Sequence, residues 1–194
     1  MGHINMEREK RQFNKKECNR EQERYKSHYR LYIIGKLYNH PEFVVGKYLY
    51  HLRMSEKWDV IKSTTGGVVP NLLFHWHSIR RYYYSYKCGL QIGLHSCDYG
   101  IRVFHYGHII INGGARIGKN LSIYPGVTIG QVDGDYMKTP IIGNDVWVFA
   151  NAMIQGDIKI GDNAIIAPNS VVTHDVPENA IVAGVPAKII GFVK

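Results

Sequence analysis

Two histidines, His105 and His108, stand in the stretch "VFHYGHIII" (residues 103–111) among aromatic and aliphatic neighbours. Histidine in such a setting admits three readings: a hydrogen-bonded core residue, a metal ligand, or a general base working near its unperturbed pKa of about 6.5. A zinc centre would take three histidines, and His95, His105 and His108 lack a ligand spacing for one. His75 and His77 in "HWH" do not share a helical face at i and i+2, and no third ligand accompanies them. Cys18, Cys88 and Cys97 are odd in number and form no CxxC pair, which argues against a disulfide framework and a thiolate site. No metal is expected. Register separates the core reading from the base reading. His105 lies six residues before Ile111, nominally an inward phase, yet Val103 and Ile109 are also six apart in a phase shifted by two. An interrupted repeat is where a site residue can turn outward.

The element that must hold these histidines is a repeat. Steps of six from Ile142 meet Val148, Ile154, Ile160, Ile166 and Val172, and a second block runs Ile111, Ile117, Ile123, Ile129. Four residues further on stand small or β-branched residues, among them Val146, Ala152, Ile158, Ala164 and Ser170. Period six fits neither a helix at 3.6 nor an alternating strand at 2. It fits a solenoid with a short strand and a turn per hexapeptide, in which aliphatic residues stack inside at about 4.8 Å per layer. Asn and Asp in "GKN", "GND" and "GDN" supply the turn conformations that other residues resist.

These residues resemble the hexapeptide-repeat acyltransferases, whose repeat reads [Leu/Ile/Val]-Gly-x-x-[small]-x and whose fold is a left-handed parallel β-helix. The left hand is implied by the resemblance, since the usual rule for parallel crossovers predicts the opposite. The resemblance covers roughly residues 89–194 and includes the ending "VVTHDVPENAIVAGVPAKIIG" with its Gly-Val-Pro-Ala-Lys at 184–188. Within the family the sequence is most similar to serine acetyltransferase and to relatives that acetylate sugars of surface polysaccharides. Three features carry this: "GLQIG" before the first coil, "GIRVFHYGHIII" followed by "GARIGKNLSIYPGVTIG", and the insertion "QVDGDYMKTP" between Ile129 and Ile142.

The resemblance implies site residues. The family's general base aligns with His105, and its orienting carboxylate aligns with Gln91 after a gap of one residue; Asp98 is an alternative partner. Glutamine can accept a hydrogen bond from imidazole but supplies no negative charge. His108 is expected to shape the pocket. Phe104 stands where serine acetyltransferase carries Asp, and Lys138-Thr139-Pro140 aligns with an Arg-His-Pro, so the substrate contacts expected at Phe104, Lys138 and Thr139 differ from that enzyme's. Lysine lacks the bidentate fork of arginine, and Phe104 removes a partner for an ammonium. The loop 131–140, with Asp133, Asp135 and Tyr136, is expected to border the site. Acetyl-CoA, the implied co-substrate, would lie along the coils against Gly130, Ala150 and Ala167, with Lys188 near a phosphate. The expected activity is acetyl transfer to a hydroxyl, of a sugar in surface polysaccharide biosynthesis or, alternatively, of L-serine on the route to cysteine. The family also implies a homotrimer with shared sites, and a hexamer of paired trimers is conceivable; Trp147, Phe149 and Met153 are candidates for a face buried between copies.

The first half differs in kind. Residues 1–88 hold 17 Lys+Arg against 8 Asp+Glu, whereas residues 89–194 hold 7 against 8. This basic, tyrosine-rich region reads as mostly α-helical. Residues 6–30 form a charged helix or arm, and "HPEFVVGKYLYHLRM" and "PNLLFHWHSIRRYYYSYKCG" form helices joined by "STTGGVVP", with Pro41 and Pro70 as starts and Gly89 as a stop. "RRYYYSYK" pairs charge with stacking groups, but no nucleic-acid module accompanies it and no nucleic-acid partner is expected; peripheral contact with an anionic membrane is possible. The expected organisation is a helical region 1–88, then a β-helix domain 89–194 with a C-terminal cap at 176–194. The apolar content of 45% suits one core with a small extra subdomain. No apolar run approaches the roughly 20 residues of a membrane span, and the first 30 residues contain no signal-like stretch, so a cytoplasmic location is expected.

Overall fold

The computed structural model describes residues 13–24, 41–132 and 138–193; Asp133, Asp135 and Tyr136 of the inserted loop lie outside them. Among the described residues three helices come first, α1 (Lys15–Arg24), α2 (Pro41–Thr65) and α3 (Val68–Cys88). Strands of two to six residues follow, numbered in chain order, and they wind into a left-handed β-helix with three faces. The first face holds β1 (Leu90–Ile92), β3 (Ile109–Ile111), β6 (Thr128–Gly130), β9 (Met153–Gln155) and β12 (Val171–Val172). The second holds β4 (Arg116–Ile117), β7 (Ile141–Ile142) and β10 (Lys159–Ile160). The third holds β2 (Arg102–Val103), β5 (Ser122–Ile123), β8 (Trp147–Val148) and β11 (Ile165–Ile166), then β13 (Ala180–Gly184) with β14 (Ala187–Phe192) antiparallel beside it.

The hexad pattern is the core. Ile111, Ile117, Ile123, Ile129, Ile142, Val148, Ile154, Ile160, Ile166 and Val172 are all buried, as are the smaller residues at i+4 from Ala115 to Ser170. Ile111 pairs with Ile129 and Ile154 with Val172, one coil of three hexapeptides apart. Asn120, Asp145 and Asn163, from the three Asn/Asp turns, take left-handed φ values of 56–60° at the corners.

A solenoid end exposes its last rung unless something covers it. Here α2 presents Val44, Val45, Tyr48, Leu49 and Leu52, spaced at one helical face, to the same core as Leu90 and Ile92. The amide of Ile92 donates to the Tyr48 hydroxyl at 2.7 Å, and Arg81 Nη1 of α3 donates to the Ile92 carbonyl at 3.0 Å. Burial pushes the Tyr48 phenol up to about 12. The helix expected over "HPEFVVGKYLYHLRM" continues to Thr65, and the connector shrinks to Gly66 and Gly67, both at positive φ. "SEKWDVIK" consists mostly of residues that a helix accepts, and only the glycine pair breaks it.

α1 is tied in by a buried ion network. Arg53 of α2, 1% exposed, donates through Nε and Nη2 to Glu21 of α1 at 2.9 and 3.0 Å, and through Nη1 to Glu56 at 3.0 Å. Its remaining donors reach the carbonyls of Cys97 and Asp98 in the first coil at 2.9 and 2.8 Å, and its guanidinium lies over Tyr99. Glu21 Oε1 also accepts from the amides of Gly100 and Ile101.

Between α2 and α3, His51 and His77 face each other with Nδ1 atoms 3.0 Å apart, both buried. One nitrogen must donate and the other accept, so the pair fails when both rings are charged. Burial, and then the neighbouring ring, push His51 down to about 4; burial also lowers His77. A folded pKa below the unfolded value means the unfolded chain binds more protons in acid. Stability is therefore present above about 6.5 and is lost as pH falls toward about 4. Urea unfolding should show on the order of 2 kcal/mol less stability at pH 5 than at pH 7. In His51→Leu that slope should shrink; an unchanged slope would acquit the pair.

Candidate functional site

His105 is exposed, while Val103 and Ile109 on either side are buried. The strand pairs give the reason. Five residues, 104–108, link Val103 to Ile109, where three residues (124–126) link the equivalent Ile123 to Val127 in the next coil. The corner between the third and first faces thus carries two extra residues, and they push His105, Tyr106 and His108 outward into solvent. The inward phase six residues before Ile111 does not hold for His105, because the extension resets the register. The strand pairs make Val103 equivalent to Ile123 and Ile109 to Val127, and only that equivalence exposes the two extra residues.

The extended corner rests on the end of α3. Gly89 caps that helix in the left-handed conformation, φ 72°, and its amide donates to the Ser85 carbonyl at 2.8 Å. The amide of Gly107 then donates to the Cys88 carbonyl at 3.0 Å. A Cβ on Gly89 would come within 2.7 Å of the Gly107 carbonyl oxygen, so helix end and corner meet only because residue 89 has no side chain. The helical region and the placement of His105 are thereby coupled.

Beside His105 runs an aromatic ledge. Phe104 stacks on Tyr124 at 4.7 Å between ring centroids, and Tyr124 stacks on Phe149 at 5.0 Å. Trp147 lies 5.4 Å from Phe104, with the Arg102 guanidinium over its ring. The His105 ring is 6.3 Å from Tyr124. Phe104, Tyr124 and Phe149 each follow an inward aliphatic on the third face, so successive coils bring them into one column. Tyr124 was not singled out by sequence; its place one coil beyond Phe104 is the missing signal.

The remaining candidates fall into two groups. Ala150 follows Phe149 on the corner column that begins with His105, and Ala167 lies next along the ledge column after Phe149, its amide donating to the Val182 carbonyl. Lys188 on β14 is exposed and pairs with Ala183 of β13, the next position along that column. His105, Phe104, His108, Ala150, Ala167 and Lys188 therefore share one edge of the prism. Gly130, Lys138 and Thr139 lie at the other edge of the first face, where the chain leaves β6 for β7. Lys138 is exposed and Thr139 buried. Gln91 is exposed on β1, opposite Ile110, and makes no hydrogen bond to His105 within the chain. Asp98 Oδ1 accepts from the amide of Tyr99.

His95 and His77 are engaged elsewhere, the first with Asp59 at 3.2 Å and the second with His51. Among the described residues no cluster of three or more His, Cys, Asp or Glu could hold a metal ion. No described helix is long and apolar enough to cross a membrane.

Comparison with known proteins agrees with this architecture. Residues 139–174 match the family profile "Bacterial transferase hexapeptide (six repeats)". The chain is 40% identical over 97 residues to the serine acetyltransferase of Mycobacterium tuberculosis, covering 47% of this chain and 42% of that protein. The crystal structure of Neisseria gonorrhoeae serine acetyltransferase in complex with serine superposes with a TM-score of 0.57 and 32% identity, over 76% of this chain and 55% of that one. A serine acetyltransferase structure in complex with CoA gives a TM-score of 0.54 and 27% identity, over 74% and 57%. The chain spans about half the length of these relatives. Residues 139–174 thus carry the hexapeptide-transferase pattern, and the repeat half of the chain is similar to serine acetyltransferases in sequence and fold.

Proposed function

We propose that this protein transfers an acetyl group from acetyl-CoA to a hydroxyl, with His105 as general base and L-serine as the acceptor. The observation that carries the proposal is the two-residue corner extension that turns His105 outward beside the ledge, on the edge where Ala150 also lies. The serine acetyltransferases among relatives and solved structures support serine over a polysaccharide sugar, which was the first expectation. His105 takes the proton of the acceptor hydroxyl as its oxygen attacks the thioester carbon, and the same proton goes to the departing CoA sulfur. Holding both reactants on one edge supplies much of the remaining rate. No acyl-enzyme is needed, because the acceptor hydroxyl is itself the nucleophile.

Ala150, Ala167 and Lys188, which rise along that edge, are the proposed track for CoA, with Lys188 toward a phosphate. Gly130, Lys138 and Thr139 lie on the opposite edge of the same face. In a homotrimer one copy's Lys138 edge would meet the neighbouring copy's His105 edge, and each site would be shared. A second reading keeps a neutral sugar hydroxyl as acceptor. Phe104 favours it, since a stacked ring stands where an acidic group would hold an ammonium.

Release of free CoA thiol from acetyl-CoA tests the proposal, measured with and without L-serine. Serine should raise the rate at least tenfold over water. A protein that binds acetyl-CoA without serine stimulation would pass the assignment to the sugar reading; one indifferent to acetyl-CoA would end both.

A further inference from the structure

General-base attack at His105 leaves one charge without a partner. As the acceptor oxygen bonds to the thioester carbon, the π pair of the C=O bond moves onto the carbonyl oxygen. That oxyanion is best held by a donor fixed in place beforehand, about 2.7–3.1 Å away. The donor also has to lie close to the imidazole, because the oxyanion and the oxygen that His105 deprotonates are bonded to one carbon. This requirement rests on the acetyl-transfer reading and holds for any hydroxyl acceptor.

Two phenols stand near His105, and they differ in how firmly they are held. Tyr106 is 58% exposed on the extended corner, and no described ring packs against it. Tyr124 is half-buried and clamped. Its ring lies between Phe104, at 4.7 Å and 9°, and Phe149, at 5.0 Å and 20°, so both faces are covered. Its amide donates to the Val148 carbonyl at 3.1 Å, which fixes the backbone as well. The His105 ring, 6.3 Å away and tilted by 60°, therefore meets Tyr124 at the ring's edge. The Tyr124 hydroxyl has no hydrogen-bond partner among the described residues. Phenylalanine fills the same place in the stack one coil to either side, so the packing does not call for that oxygen. Of the three stacked rings, only Tyr124 brings a polar atom to the rim. We propose that the Tyr124 hydroxyl donates a hydrogen bond to the thioester carbonyl oxygen as it becomes the oxyanion, which makes Tyr124 a second catalytic residue. The phenol keeps its proton throughout. On collapse the C=O bond re-forms, the C–S bond breaks, and the proton held by His105 passes to sulfur.

Tyr124→Phe tests this in the full chain, with CoA thiol release from acetyl-CoA measured with L-serine and with water as acceptor. The ring and its stack remain, so the unfolding midpoint and the KM for acetyl-CoA should stay where they are. With either acceptor kcat should fall by roughly 10²- to 10³-fold, the range for loss of one oxyanion donor. Tyr106→Phe should keep full kcat. Tyr124→Leu, which removes ring and hydroxyl together, should lose at least as much kcat as Tyr124→Phe and some stability besides. Full activity in Tyr124→Phe would overturn the donor role, and impairment of Tyr124→Leu alone would reassign the ring to positioning His105. A loss seen in Tyr106→Phe instead would overturn it too, by moving the donor to the corner. Each of those outcomes leaves acetyl transfer by His105 standing, whereas an unsubstituted chain that releases no CoA would end both readings.

Discussion

In His105→Ala, kcat for CoA release should fall by 10²- to 10⁴-fold, the range for loss of a positioned general base. The side chain is exposed and packs only loosely against Tyr124, so the unfolding midpoint should stay where it is. Acetyl-CoA affinity should change little, because the imidazole acts on the acceptor's proton. Gln91→Ala should cost less in kcat than His105→Ala. Glutamine at 91 offers an acceptor to fix a tautomer but no charge to stabilise an imidazolium, and it makes no hydrogen bond to His105 within one chain. Steady-state kinetics on both variants decides this. Equal losses would make residue 91 part of one working unit with the base, and a fully active His105→Ala would remove the proposed mechanism.

The largest loss of stability should come from Arg53→Met, far from the chemistry. Methionine fills much of the volume but leaves Glu21 and Glu56 charged, with Glu21 almost fully buried. Breaking a buried pair by removing one partner costs about 3–5 kcal/mol, because the other charge stays behind without compensation. Arg53→Lys should not rescue it. A single ammonium cannot replace the guanidinium fork that reaches Glu21, Glu56 and two backbone carbonyls at once. The triple change Arg53→Met, Glu21→Gln, Glu56→Gln should recover much of the loss, since no bare charge then remains. Urea midpoints compared across the set provide the check. An Arg53→Met protein within about 1 kcal/mol of the unsubstituted chain would show that solvent reaches the network.

Period six, and with it the solenoid, its buried aliphatic ladder and its Asn and Asp corners, was determined by the sequence alone. In a repeat fold each rung's burial is decided by neighbours one coil away that carry the same pattern, so Ile111 through Val172 could be assigned inward from spacing. The stop of α3 at Gly89 was legible for a similar reason, because a cap is a local backbone event. The extent of α2 to Thr65 was not, although "SEKWDVIK" consists mostly of residues that a helix accepts and only Gly66 and Gly67 break it.

Only the tertiary structure decided which way His105 faces. Its phase was readable both ways from residues 103–111, and the answer lay in the strand pairs of Val103 with Ile123 and of Ile111 with Ile129, contacts about a coil apart in the chain. The same holds for Arg53, whose partners come from α1 and from the first coil. It also holds for the division of site candidates between two edges of the prism. Spacing along a chain fixes which residues can stack, but the side a residue faces depends on how many residues each corner spends, and that count is visible only when the coils are laid on one another.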